Sequence, residues 1–132
     1  MPAYLSIPGA EADADFSAHQ YHAVQLSATE NRVSLITNAN AQRPIGILQD
    51  DPNAAGQGAD IAYMGIAKAE CGGTVTRGNP LGVNNDGEVI ADVEVLDGTA
   101  VDLHHIGFAL EDGVDGDIIK VLVHTPTIVG LE

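Results

Sequence analysis

"IGILQDD", Ile45–Asp51, is a short apolar run that passes one glycine and stops abruptly in acid. The chain repeats the phrase as "IGFALED", Ile106–Asp112. A short apolar run between turn signals reads as a buried strand. A glycine inside it marks a bulge, a bend or a close approach of another backbone. Two kinked strands at similar places suggest two related halves of one small barrel. The phrase is also short enough to recur by chance, and the residues alone leave both readings open.

Strand signals surround the two phrases. "YHAVQLS" alternates, with His22, Val24 and Leu26 on one face and Tyr21, Ala23 and Gln25 on the other. "RVSLIT" comes after the turn "ATEN", which predicts a hairpin. Pro44 marks the start of the strand at Ile45. "IAYMGIAKA" alternates for its whole length, and "CGGTVTRGNPLGV" predicts two short strands between glycine turns. "NNDG", Asn84–Gly87, is a hairpin turn because Asn and Gly accept positive φ. "EVIADVEV" reads as a strand, "LDGTAVDLHH" as a turn and connection, and "IGFALE" with "DIIKVLVHT" as a last pair joined by "DGVDG". Only "ATENRVSL" offers even a weak helical pattern. The expectation is an all-β chain of about eight to ten short strands, a barrel or a sandwich. Fifteen Gly and six Pro among 132 residues suit such a chain. With no Trp, two Phe and three Tyr, its core must be aliphatic.

Residues 1–16 differ in character from the rest of the chain. They carry Pro2, Pro8 and three acids, with Tyr4, Leu5 and Ile7 as a small apolar cluster. A solvated tail has no need of that cluster, so the segment reads as an extended arm, and residues 17–132 as one domain.

Five Lys+Arg stand against nineteen Asp+Glu, a net charge of −14. That balance argues against nucleic acid and anionic membrane as direct partners, since both demand clustered cations. The acidity suits solubility, or a saline medium that screens it. The beginning of the chain lacks the basic and apolar regions of a signal peptide, so synthesis and folding in a cytoplasm are expected.

Candidate chemistry is sparse. Cys71 has no Cys or His at ligand spacing and reads as a buried inert thiol. Zinc sites favour paired ligands at short spacing. That leaves His19 with His22, and His104 with His105, whose side chains would point to opposite faces of a strand; His124 stands alone. No metal or other cofactor is expected. "DGVDGD", Asp112–Asp117, has the wrong spacing for a helix-flanked calcium loop and reads as a turn. Neither a nucleophile motif nor a phosphate-binding loop is present, so no enzyme is expected.

Taken in order, the segments Tyr21–Leu26, Ile45–Gln49, Gly65–Lys68, Gly73–Leu81, Asp86–Gly87, Ile106–Glu111 and Gly116–Leu122 resemble the bacteriophage capsid cement, or head decoration, family. The resemblance covers about residues 15 to 126. It implies a small β-barrel or β-tulip domain on the outer surface of a filled head, made in the host cytoplasm. It implies the major capsid protein as partner and self-association as a trimer, or a dimer as in some relatives. It also implies that an N-terminal arm reaches neighbouring capsid subunits, for which Tyr4, Leu5, Ile7, Pro8 and Phe16 are the expected contacts. The adjacent His104 and His105 and the tail "TIVGLE" depart from the pattern. The alternative is a head appendage that binds a host-surface receptor or glycan, which the scarcity of aromatic residues disfavours.

Overall fold

A computed structural model of the chain describes residues 3–38, 42–91 and 103–129. Within them the fold is all-β, with no helix. Ten strands form one sheet: β1 (Ala3–Ser6), β2 (Glu11–Ala12), β3 (Ala23–Leu26), β4 (Arg32–Leu35), β5 (Gly46–Leu48), β6 (Ile61–Glu70), β7 (Pro80–Val83), β8 (Val89–Ala91), β9 (Leu103–Ala109) and β10 (Ile118–Val129). The hydrogen-bonded order is β2-β4-β3-β5-β6-β10-β9-β7-β8, with β1 also paired to β6. This order has two ends, so the sheet does not close into the expected barrel.

The order is a palindrome of two four-strand units. Strands β3 to β6 lie as β4-β3-β5-β6, and β7 to β10 lie as β8-β7-β9-β10. Each unit is a hairpin, then a strand pairing with the hairpin's first member, then a long strand. The registers agree as well. Gly46 stands opposite Val24, and Gly107 opposite Leu81. Val24 in turn faces Leu35, and Leu81 faces Ala91.

The repeated glycine has one physical role in both units. A Cβ on Gly46 would lie 2.5 Å from the carbonyl oxygen of Ala62, on β6. A Cβ on Gly107 would be closer still to the carbonyl oxygen of Leu122, on β10. Neither glycine has a positive φ, so the requirement is space for the adjacent strand.

Two apolar clusters form the core. The larger spans both units, from Ala23, Ile47 and Ala62 to Leu81, Val89, Ile106, Val121 and Val123. The smaller holds Ala10, Ala12, Phe16, Val24, Val33, Leu48 and Ile61, with Ile7, Leu35 and Ile45 packed against it. Strands β3 and β5 therefore bury both faces. Ala23 and Ile47 enter one cluster, while Val24 and Leu48 enter the other. The expected two-sided pattern of β3 fails for this reason, and Leu26, placed on one face with Val24, is 68% exposed while Val24 is fully buried.

The second layer is supplied by the segment expected to be an arm. Residues 3–6 pair antiparallel with β6, and Glu11 and Ala12 pair parallel with Arg32 and Val33. Phe16 has no exposed surface. The packing has no boundary at residue 16.

Other departures are local. Of the two strands expected in Cys71–Val83, only β7 forms, while Val75 makes a single bridge to Gly113. Leu103 to His105, expected in a connection, belong to β9, and β10 runs on to Val129. The second half of the predicted strand at Glu88–Val95 lies outside the described residues. The Asn84–Gly87 turn forms as expected, with Gly87 at φ 84° and Asn84 Oδ1 accepting from the amides of Asp86 and Glu88.

Cys71 is buried, and burial and nearby carboxylates push its thiol up to about 11. The native protein should therefore resist iodoacetamide at pH 8 and react fully in urea. Rapid native alkylation would contradict this packing.

Candidate functional site

Strand alternation places one row of apolar residues outward. Ile66 on β6 faces Leu122 on β10, which faces Phe108 on β9. Leu5 on β1 faces Met64 on β6 and extends the row. All five are exposed, with Leu5 at 55% and the others near 40%. Scattered exposed apolar residues are ordinary, but five register neighbours form a patch, and such patches mark contact surfaces.

The next outward positions along the same strands are Lys68 and Lys120, which are register partners. They are the only two lysines of the chain. Like charges directly opposite in a sheet are destabilising. Neither lysine makes an ion pair with a described residue, despite the nineteen acids of the chain. The chain thus sets its two lysines together beside its apolar row.

A groove of about 370 Å³ opens alongside, lined by Tyr4, Tyr21, Gln49, Ile66, Lys68 and Lys120. Tyr4 donates its hydroxyl to Asp60 at 2.5 Å, and burial together with that carboxylate pushes it up to about 12. Gln49 clamps the groove wall, donating to the Lys68 carbonyl and accepting from the Lys68 amide. Tyr21 has φ 73°, a left-handed conformation that costs a bulky residue about 1–2 kcal/mol. Its amide bonds Leu48, and its carbonyl accepts from the Glu70 amide.

The expected contact residues scatter over this geometry. Leu5 is in the apolar row, and Tyr4 lines the groove. Pro8 is exposed in a turn, whereas Ile7 packs on the smaller core cluster. Phe16 lies wholly within that cluster and has no surface to offer a partner. The sequence reading missed Met64, Ile66, Phe108, Leu122 and both lysines. The outward period of Met64, Ile66 and Lys68 in "IAYMGIAKA" is the signal for those three, while Phe108, Leu122 and Lys120 join them only through strand pairing.

The histidines fall into two groups. His105 lies among Phe108 and His124, with ring centroids 5.0 and 4.9 Å away. Its Nε2 is buried without a partner among the described residues. Burial and then the neighbouring His124 lower its pKa below the ordinary histidine value. An unfolded chain then takes up a proton at His105 at a higher pH than the folded chain does. Its contribution to stability is present above about pH 6.5 and is lost as pH falls. His105→Phe should flatten the fall of the urea midpoint between pH 7.5 and 5.5, and an unchanged slope would contradict the assignment.

The second group holds His19 and His22, whose rings meet edge to face at 5.2 Å. His22 also approaches Glu70 and Glu88, and one ligand atom from each of these three lies within 4.8 Å of the others. At the "DGVDGD" loop, Asp112 and Asp117 accept from the backbone amides of Arg77 and Val114, as turn residues do.

No protein-family description and no curated protein sequence matches the chain. Its fold is shared with solved structures. It aligns with the N base of head fiber gp8.5 in bacteriophage phi29 at a TM-score of 0.63 and 15% identity, covering 93% of this chain and 94% of that one. It also aligns with a chain of the capsid of Myoviridae phage XM1 at a TM-score of 0.52 and 12% identity, covering 94% and 90%. At these identities the likeness is one of fold. Both alignments run over nearly the whole of each chain, so what is shared is the complete domain.

Proposed function

We propose that the protein is a structural component of a phage head, bound to the outer capsid surface as a cement protein. The observation that carries this reading is the outward row of Leu5, Met64, Ile66, Leu122 and Phe108 beside Lys68 and Lys120, which form no ion pair with a described residue. An apolar strip with two cations at its edge suits a partner surface that is apolar at the centre and acidic at its border. The domain-wide likeness to the phi29 head fiber base and to the XM1 capsid chain supports a place on the head. The partner in this reading is the major capsid protein. Self-association as a trimer, three copies of 13.6 kDa or about 41 kDa, would multiply weak single contacts into firm attachment. The protein acts by binding and not by catalysis.

The likeness to a head fiber base favours a second reading, the head-proximal base of an appendage. One experiment separates the two. Purified protein is mixed with heads that lack it, and its pelleting is measured with head stability on heating. A cement protein pellets saturably and raises the temperature at which heads rupture. An appendage base pellets without that gain. Leu122→Asp and the pair Lys68→Glu with Lys120→Glu should each cut head affinity at least tenfold while leaving the circular dichroism unchanged. Full affinity in both variants would place the contact elsewhere on the domain.

A further inference from the structure

We propose that His22, Glu70 and Glu88 form a site for one divalent first-row cation, of the Zn2+ type, that ties the first four-strand unit to the second. His22 immediately precedes β3, Glu70 ends β6, and Glu88 immediately precedes β8. The site therefore joins segments that are far apart in the chain but meet where the Asn84–Gly87 turn crosses the start of β3. Gly87 makes the crossing possible, because a Cβ there would sit 2.8 Å from the Ala23 carbonyl oxygen and 3.3 Å from His22 Cβ.

The orientation of the imidazole is decisive. Nδ1 of His22 lies 2.7 Å from the carbonyl oxygen of Asp86. A carbonyl can only accept, so Nδ1 is the protonated nitrogen. In the neutral ring Nε2 then bears the lone pair. It is aimed at Oε1 of Glu70, 3.2 Å away, and the His22 side chain that carries it is only 8% exposed. Two acceptors facing each other at that distance need a positive species between them. A Glu88 carboxylate oxygen lies within 4.8 Å of both atoms, so a single proton would neutralise only one of two neighbouring carboxylates. A divalent cation neutralises both.

The dimensions agree. Ligands about 2.0–2.1 Å from a tetrahedral ion stand roughly 3.3 Å apart, close to the Nε2–Oε1 separation. The outer contacts are those of a ligand set. The imidazole is fixed through its far nitrogen by a backbone carbonyl, and Asn84 Nδ2 donates to Glu88 Oε1 at 3.1 Å. Glu70 leaves 27% of its side chain exposed, so water can complete the coordination. One imidazole with two carboxylates suits Zn2+ or Mn2+ better than Ca2+, which takes more oxygen ligands.

The test is titration of the chelator-treated full chain with Zn2+ and, separately, Mn2+, by calorimetry and thermal melting. The expected result is one site per chain and a rise in melting temperature of roughly 5–10 °C at a hundredfold excess over Kd. Glu70→Gln and Glu88→Gln, both at partly exposed positions, should fold and weaken binding at least tenfold. The 15N resonance of His22 Nε2 should shift on adding Zn2+, while Nδ1 keeps its proton. Absence of binding by either ion overturns the proposal and leaves an imidazolium–carboxylate pair. Binding that is unchanged in both Gln variants also overturns it, since the ion is then held by other surface acids.

Discussion

Gly107→Ala lowers the unfolding free energy by about 3 kcal/mol or more, measured by urea denaturation. The new methyl group would be driven into the carbonyl oxygen of Leu122, on a neighbouring strand held from both sides. A flexible side chain could turn away, but a backbone oxygen in a ladder cannot. The stiffer unfolded chain that alanine brings offsets no more than about 1 kcal/mol. Gly46→Ala acts in the same direction, against Ala62 and Ile61. Gly73→Ala is the control. Nothing lies within 4 Å of its Cβ, and its φ is not positive, so its stability should stay within about 0.5 kcal/mol of the parent. A stable Gly107→Ala protein would mean that the register of β9 on β10 is wrong.

Phe16→Ala costs about 3–5 kcal/mol, the usual range for emptying a fully buried aromatic site. A domain of this size commonly has about 5–15 kcal/mol in total, so the variant should be partly unfolded at 37 °C. Removing residues 1–15 should be at least as damaging. It strips Ile7, Ala10 and Ala12 from Val24, Val33, Leu48 and Ile61, and it takes away β1 and β2. Melting curves of both variants give the answer. A truncated chain that melts like the full one would restore the reading of this segment as a free arm.

The strands are legible in the sequence where one face meets the core and the other meets water. "IAYMGIAKA" alternates because β6 does just that over most of its length, and the pattern marks nearly its observed bounds. Strand β3 misleads for the opposite reason. A second core cluster covers its other face, and alternation holds no information about a layer contributed by residues 7–16. Those residues read as an arm and not as core because small side chains, Ala10 and Ala12, fill the cluster with Phe16, and Ala among acids carries no sign of burial. The repeated "IG" phrase is visible, but its meaning lies in which backbone approaches each glycine, and strand pairing determines that. The convergence of His22, Glu70 and Glu88 is not legible at all. Those residues are 48 and 18 positions apart, whereas metal motifs are recognised by short spacing. For the contact surface, the sequence points to one residue of the outward row, Leu5, along with Tyr4 in the groove beside it.

Strand β6 draws partners from both extremes of the chain, since Ala3 pairs with Ile66 and Ile118 with Glu70. Pairings of such long span must close large loops before any burial compensates, which places folding in roughly the millisecond-to-second range. A ribosome adding about 5–20 residues per second needs several seconds to proceed from the end of β6 to the end of β10. Throughout that interval β6 offers nascent neighbours an unsatisfied edge, the kind that seeds aggregation. The charge of −14 repels those neighbours during the same seconds. The acidity therefore protects the chain while it is being made as well as after it has folded.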